Sequence, residues 1–247
     1  MIQVPLAGKV VFVDWHSVLS RDPFWMSIRE SATHPLKAQL EANLAEVFKS
    51  KANEWMKGLL SSEEIIKSMD IELDGRFRED FLTRRLYVDC AKMRVNAELF
   101  EALRKIKSHV LVVLATDNMD CFLQTFDRAR AKRRRPTPQS ETLADWAIIL
   151  DDIICSSEVA ALKAEDPQRF FGPWLAKHGF TFADAALIDD RADNCAAFAE
   201  QGGKAVQYKM GIGDVHDVLH ALTIWMESGT GTPTAGMDWA TNLPRTS

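Results

Sequence analysis

Five short apolar runs, separated by segments with helical spacing, constrain the fold of this chain more than any other feature. Each run is near-continuously apolar rather than alternating, which is typical of strands covered on both faces. Strands that alternate with helices in this way pair in parallel. We therefore predict an α/β fold with a Rossmann-like parallel sheet. The predicted strands are Val10–Val13, Val110–Ala115, Ile153–Cys155, Ala185–Ile188 and Ala205–Tyr208.

Three of these predicted strands end in acidic or hydroxyl side chains. Asp14 follows the first strand, Thr116 follows the second, and the pair Asp189 and Asp190 follows the fourth. In open α/β sheets, ligands bind beyond the carboxyl ends of the strands. The sequence therefore predicts that these side chains share one cleft.

The segment between the first two strands differs from the rest, because it has helical spacing and no strand-like run. Ser61 and Glu64 have the spacing of a capping box, and Asn96, Asp166 and Asp214 are predicted helix N-caps. The end of the chain is rich in Gly, Thr and Pro, as mobile tails are. The predicted domains are a core of residues 1–20 and 96–227, a helical cap at 21–95 and a flexible tail at 228–247.

Composition restricts the partners of the chain. Its 247 residues carry a net charge of −5, and this mild acidity argues against a nucleic-acid partner, which usually requires a basic face. No stretch approaches the ~20 apolar residues of a membrane span, and the N-terminus lacks the apolar region of a signal peptide. The four cysteines form no CxxC pair, which is typical of reduced thiols. We expect a cytoplasmic protein with no membrane partner.

Four segments, in order, resemble the motifs of the haloacid dehalogenase superfamily, most of whose members are magnesium-dependent phosphatases. They are VVFVDWHSVL around Asp14, LVVLAT ending at Thr116, SSEVAALK ending at Lys163, and ALIDDRADN with Asp189, Asp190 and Asn194. The resemblance covers residues 9 to 208, and the helical segment lies where this superfamily places its type-one cap. It implies a core fold, a cofactor and a reaction.

The implied reaction is the Mg²⁺-dependent hydrolysis of a small phosphomonoester, so the implied partner is a small phosphorylated metabolite. Asp14 would attack phosphorus and form an aspartyl-phosphate. Thr116 and Lys163 would bind the phosphoryl oxygens. Asp117, which stands where Asn is more usual, would belong to the same phosphate site.

The resemblance also implies a metal site. Magnesium prefers oxygen ligands and retains several waters. The implied ligands are Asp14, the backbone carbonyl of His16, Asp189 and Asp190. Asn194 would support the loop that follows Asp190.

The residue two positions after Asp14 departs from the phosphatase pattern. These phosphatases have a second Asp there, which protonates the leaving oxygen and later deprotonates the attacking water. Here the residue is His16, whose imidazole, with a pKa near ~6.5, can perform both steps. His16 is therefore the candidate acid/base. A binding or positioning role remains open, as does loss of hydrolysis, which would leave a regulatory phosphate-binding protein or a phosphoryl transferase.

Two subgroups of the superfamily lack the second Asp. Haloacid dehalogenases do so because halide leaves unaided, but their fourth motif is not a paired acid, so Asp189 and Asp190 argue against dehalogenation. Phosphonoacetaldehyde hydrolases cleave a C–P bond and begin with Asp-Trp-Ala, which Asp14 and Trp15 resemble. They need a cap lysine for a Schiff base, and Lys57 is the candidate.

Two further features are open to interpretation. Four bulky residues of the helical segment are candidates for substrate contact, although core packing explains them more simply: Phe24, Trp25, Trp55 and Met56. The basic segment 128–140 is either a solvated loop or a rim that attracts anions.

Overall fold

The chain folds around one five-stranded parallel sheet. The computed structural model describes residues 8–133, 136–137 and 139–228. The strand order is β3-β2-β1-β4-β5, and every neighbouring pair is parallel. The predicted α/β fold is therefore confirmed, with the first strand at the centre. The strands are β1 Val10–Val13, β2 Leu111–Thr116, β3 Asp152–Cys155, β4 Ala185–Asp189 and β5 Lys204–Gln207.

Helices connect the strands and cover both faces of the sheet. Between β1 and β2 lie α1 Met26–Arg29, α2 Lys37–Ser50, α3 Ala52–Met56, α4 Ser62–Ser68, α5 Phe81–Ala91 and α6 Ala97–Ile106. After β2 come α7 Asp120–Ala131 and α8 Leu143–Trp146, and after β3 come α9 Ser156–Val159 and α10 Pro167–His178. The last two are α11 Ala192–Glu200 and α12 Val215–Glu227. Short 3₁₀ helices lie at Ala147–Ile149 and Phe182–Asp184.

Helices α1 to α5 form the helical insertion that the sequence predicts between the first two strands. Its capping box is present, since Ser61 Oγ accepts from the Glu64 amide and Glu64 accepts from the Ser61 amide. The division of the chain into core and cap at the stated residues stays a prediction. Residues 229–247, nearly all of the predicted tail, lie outside the described residues.

Burial on both faces explains why the strands read as continuous apolar runs. Phe12 of β1 packs against Phe171 and Trp174 of α10, with ring centroids 5.0 and 5.4 Å apart. Val11 and Val13 point to the opposite face and belong to the core beneath the other helices. All four residues of β1 are fully buried.

Strand β5 lies one residue earlier than predicted. It is an edge strand with exposed or half-buried residues, so its apolar signal is weak. Tyr208, predicted to end the strand, lies beyond it, and its hydroxyl accepts a hydrogen bond from Asn96 Nδ2 at 2.9 Å. Asn96 also caps α6 as predicted, since its Oδ1 accepts from the Leu99 amide at 3.2 Å.

Within the part of the chain that the structure describes, no helix combines the length and the apolar character needed to cross a membrane.

Candidate active site

Strand β1 carries Asp14 to the middle of the carboxyl edge of the sheet. β1 pairs with β2 on one side and β4 on the other, so a strand ends on each side of this residue. The Asp14 amide donates to the Ile188 carbonyl at 2.9 Å, which fixes the backbone just beyond the strand. The residue is 6% exposed and lines a cavity of about 490 Å³.

The ammonium of Lys163 joins the segments that the sequence predicts to meet. Its Nζ lies 2.8 Å from Asp14 Oδ1 and 2.5 Å from Asp189 Oδ2. It also donates to the Ala115 carbonyl at 3.1 Å. The backbone amide of Lys163 donates to Asp117 Oδ1 at 3.0 Å. Four segments that are distant in sequence therefore converge around one buried cation.

Burial and pairing act in opposite directions on the pKa values of this cluster. Burial raises the pKa of Asp14 to about 7, although the charge of Lys163 opposes the rise. Burial would lower the pKa of Lys163, but the carboxylates of Asp14, Asp189 and Asp117 outweigh it and the pKa is raised. Lys163 is therefore a cation at neutral pH, whereas the carboxyl group of Asp14 titrates near neutral pH.

The acidic pair at the end of β4, whose last residue is Asp189, is held in place by the loop that follows. The carboxylate of Asp189 is fully buried and accepts from Asn194 Nδ2 at 3.0 and 3.1 Å. It also accepts from the Arg191 amide at 2.9 Å. Asp190 is half-buried, and burial, followed by the charge of Asp189, raises the pKa of its carboxyl. Asn194 thus lies where a residue that supports this loop is expected.

Three carboxylates meet closely enough to hold a metal ion. One oxygen from each of Asp14, Asp189 and Asp190 lies within 4.8 Å of the other two. Carboxylate oxygens are the ligands that Mg²⁺ and Ca²⁺ prefer. The chemistry of this donor set fits a hard divalent cation. The predicted participation of the His16 carbonyl stays a prediction.

His16 lies on a tight turn at the mouth of the cavity. The next residue, Ser17, has φ 62° and donates its amide to the Ser20 carbonyl at 2.6 Å. The His16 side chain is exposed and lines the cavity. Surrounding protein atoms lower the pKa of the imidazole by desolvation, and the Asp190 carboxylate opposes this effect. Desolvation therefore favours the neutral ring, which can accept a proton, whereas the Asp190 carboxylate favours the imidazolium, which can donate one.

Thr116 is close to this cluster in the sheet, but it does not line the cavity. It is the last residue of β2 and is 1% exposed. Its hydroxyl has no hydrogen-bond partner among the described residues, which is unfavourable for a buried polar group. Asp117 and Asn118 do line the cavity. Asn118 has no predicted role, although its position just after a polar strand end is the signal that identifies it.

Two chemically different sets of side chains line the cavity, one at the carboxyl edge of the sheet and the turn after β1, the other largely from the helical insertion. We call the group Asp14, His16, Asp117, Lys163 and Asp190 its polar end. We call the group Phe24, Phe48, Met56 and Met93 its apolar end. The first three residues of the apolar end come from the helical insertion or the turn that leads into it, so insertion and sheet enclose the cavity together.

The bulky residues singled out from the sequence divide into two classes. Trp25 and Trp55 are fully buried and belong to the core, as the simpler interpretation has it. Phe24 and Met56 line the cavity. Phe48 also lines it and was missed, because an apolar residue in a helical stripe cannot be distinguished from core by spacing alone.

Two other sequence candidates lie away from the cavity. Lys57 pairs with Glu165 at 2.5 Å and is not among the described residues that line the cavity. In the basic segment, Arg130 pairs with Asp152 at 3.6 Å. The described residues of 128–140 do not line the cavity, whereas residues 134, 135 and 138 lie outside the described ranges.

Comparison with known proteins connects the chain with one group of folds. No protein-family model and no curated protein sequence matches the chain. Solved structures do match it. A predicted HAD-like family hydrolase from Porphyromonas gingivalis has a TM-score of 0.61 and 17% identity, over 87% of this chain and 97% of that one.

Two further structures show the range of chemistry found on similar folds. A HAD family enzyme from Bacteroides thetaiotaomicron, in complex with magnesium and inorganic phosphate, has a TM-score of 0.58 and 18% identity, over 83% of this chain and 96% of that one. The L-2-haloacid dehalogenase from Xanthobacter autotrophicus, with chloropropionic acid covalently bound, has a TM-score of 0.54 and 12% identity, over 91% of this chain and 84% of that one. At these identities the likeness establishes a shared HAD-like fold.

Proposed function

We propose that the protein is a Mg²⁺-dependent phosphatase of the haloacid dehalogenase superfamily that hydrolyses a small phosphomonoester through an aspartyl-phosphate on Asp14. The observation that carries this proposal is the contact of one buried ammonium, that of Lys163, with both Asp14 and Asp189. A phosphoryl group that approaches Asp14 meets this cation, and positive charge stabilises the developing negative charge on the phosphoryl oxygens.

The residues of the chain have distinct roles in the proposed reaction. A carboxylate oxygen of Asp14 attacks phosphorus, and the P–O bond to the alcohol breaks. His16 donates a proton to the leaving oxygen and then takes one from the water that attacks the aspartyl-phosphate. Asp117 belongs to the phosphate site because it lines the cavity. A contact of Thr116 with the phosphate would require its buried hydroxyl, which has no described partner, to reach the cavity that it does not line. Inorganic phosphate leaves and the carboxylate is restored.

Asp14, Asp189 and Asp190 would hold the metal. A bound Mg²⁺ would supply charge neutralisation for the phosphoryl oxygens beside Asp14. Asn194 keeps Asp189 oriented through two hydrogen bonds. The magnesium and inorganic phosphate bound to the similar enzyme from Bacteroides thetaiotaomicron support this assignment.

The acidic cluster favours phosphate chemistry over dehalogenation. Displacement of halide by a carboxylate needs no metal, so it gives no reason for three carboxylates within 4.8 Å of one another. Cleavage of a C–P bond through a Schiff base is also disfavoured, because Lys57 pairs with Glu165 instead of lining the cavity.

A phosphate-release panel tests the proposal. Purified protein is assayed against small phosphomonoesters with and without Mg²⁺, and Asp14→Asn is the control for contaminating phosphatase. We expect release that needs both Mg²⁺ and Asp14. If no ester is turned over but inorganic phosphate binds, a regulatory phosphate-binding protein is the better interpretation. Chloride release from 2-chloropropionate would instead favour a dehalogenase, and label transfer to an added alcohol would favour a phosphoryl transferase.

A further inference from the structure

We propose that the apolar end of the cavity receives the leaving group, so that the substrate is the phosphate ester of a small hydrophobic alcohol. This inference rests on the proposed function, to which it adds the substrate class. The side chains that would select this class are those of Phe24, Phe48 and Met56.

The charged and the apolar side chains that line the cavity favour one orientation of a phosphate ester, with its phosphoryl group and its alcohol against different residues. The phosphoryl group is drawn to the polar end, because Lys163 and Asp14 lie there. The remainder of the molecule then extends toward the helical insertion, where the lining side chains are aromatic rings and thioethers. A cavity of about 490 Å³ lies within the usual range for small-molecule sites, roughly 300–1,000 Å³.

The charged residues near the apolar end are already matched by protein partners. Arg29 lines the cavity, but its guanidinium pairs with Glu41 through two hydrogen bonds of 2.8 and 3.2 Å. Asp22 also lines it, and its carboxylate accepts from the Arg94 amide at 2.6 Å and from the Arg94 guanidinium. A highly polar leaving group would therefore have to compete with these pairs, whereas an apolar one would not.

Phe48 is the clearest sign of an apolar ligand. This residue is 42% exposed and is one of the residues that line the cavity. Covering such a ring with an apolar group removes hydrocarbon surface from water, which favours binding. Val88, with the same exposed fraction of 42%, lies on α5 away from this cavity.

The rings of the apolar end are held in position before any ligand binds. Trp55 is fully buried and donates its Nε1–H to Ser62 Oγ at 3.1 Å. Its ring centroid lies 5.9 Å from that of Phe24 and 6.1 Å from that of Phe48. One anchored ring therefore positions both of the cavity-lining rings, which reduces the entropy lost when a ligand is bound.

A matched pair of esters tests the inference. Benzyl phosphate and glycerol 1-phosphate are both esters of primary alcohols, so departure of the alcohol makes similar demands on the general acid. We expect wild-type kcat/KM to be at least tenfold higher for benzyl phosphate. Phe48→Ala should remove most of this preference by raising KM for benzyl phosphate alone, and Val88→Ala should leave both esters unchanged. Phe48 is partly exposed, so its truncation is compatible with folding.

Binding of non-hydrolysable analogues separates this inference from the proposed function. Calorimetry with Mg²⁺ compares benzylphosphonate with methylphosphonate, and tighter binding of the benzyl compound, weakened by Phe48→Ala, is the expected result. Equal affinities would overturn the inference, whether or not any ester is hydrolysed. Tighter binding of benzylphosphonate without turnover of any ester would retain the apolar subsite and reject the phosphatase.

Discussion

Lys163 balances two buried carboxylates, those of Asp14 and Asp189. Lys163→Met removes the cation and leaves both acids without their partner. Loss of one member of a buried ion pair costs about 3–5 kcal/mol, and we expect a decrease of that order in the free energy of unfolding, measured in urea, together with loss of phosphate release.

Lys57→Met is the matched control, because Lys57 also pairs with an acid across the interface of insertion and sheet. Its partner Glu165 is 56% exposed, and exposed pairs contribute about 0–1 kcal/mol. A similar decrease in the free energy of unfolding in both variants would contradict the conclusion that Lys163 stabilises the fold by balancing two buried carboxylates.

The pKa of Asp14 gives the metal-free protein a definite pH dependence. The folded value of about 7 lies above the ordinary value of 3.8, so the fold favours the protonated form. The contribution of Asp14 to stability is then fully present below about pH 4 and is lost as the pH rises through about 7. Asp14→Asn resembles the protonated state at every pH. In EDTA, the variant should therefore gain stability relative to wild type as the pH rises from about 4 to about 7, and the difference should be constant above that. A difference in unfolding free energy that stays constant over the whole pH range would contradict this.

His16 is tested by the leaving group. If His16 is the general acid, His16→Ala should slow alkyl phosphates by about 10²–10⁴-fold and slow p-nitrophenyl phosphate much less, because nitrophenolate leaves without a proton. His220→Ala, on the exposed surface of α12, is the control. Equal losses on both substrates would assign His16 to positioning instead.

At the scale of the elements, the side chain of Asn96 holds the N-terminus of helix α6 in place. Asn96 caps the helix and also donates to Tyr208 and to the Val18 carbonyl. An N-cap alone is worth about 0.5–2 kcal/mol, so we expect Asn96→Ala to lower the unfolding free energy by about 2 kcal/mol. Asn53→Ala, at an exposed site within α3, should change it little. Equal effects in chemical denaturation would reject the capping argument.

The elements also show what the sequence can and cannot reveal. Strands β1, β2 and β4 were recognisable because burial on both faces makes them continuously apolar, although β2 lies one residue later than predicted. The edge strands are less buried: β3 begins one residue before its predicted start, at Asp152, and β5 lies one residue earlier than predicted. Asp14 and Asp189 were identified because each follows a buried strand. The cavity-lining role of Phe48 depends on how α2 meets α3 and the sheet, and neither its residue type nor its spacing carries that information.

At the scale of the whole molecule, Gly58 lies where the helical insertion meets helix α9, directly after β3. It has φ +68°, and a Cβ there would overlap the backbone carbonyl of Ser157. Gly58→Ala should therefore push insertion and sheet apart and lower the unfolding free energy by about 1–3 kcal/mol. Gly75→Ala, at a site with open space and no positive φ, is the control. If the two variants unfold at the same urea concentration, this contact does not determine the fit of insertion to sheet.

The central place of β1 has a consequence for biogenesis. Val10 of β1 pairs with Ala185 of β4, and most of the chain is synthesised between these two residues. Non-local strand pairing of this kind is slow. During synthesis, β1 therefore has no partner on its β4 side until the ribosome has made β4. During refolding from denaturant, we expect the proposed phosphate release to return only with the final, rate-limiting closure of the sheet, after most of the helical circular-dichroism signal has recovered.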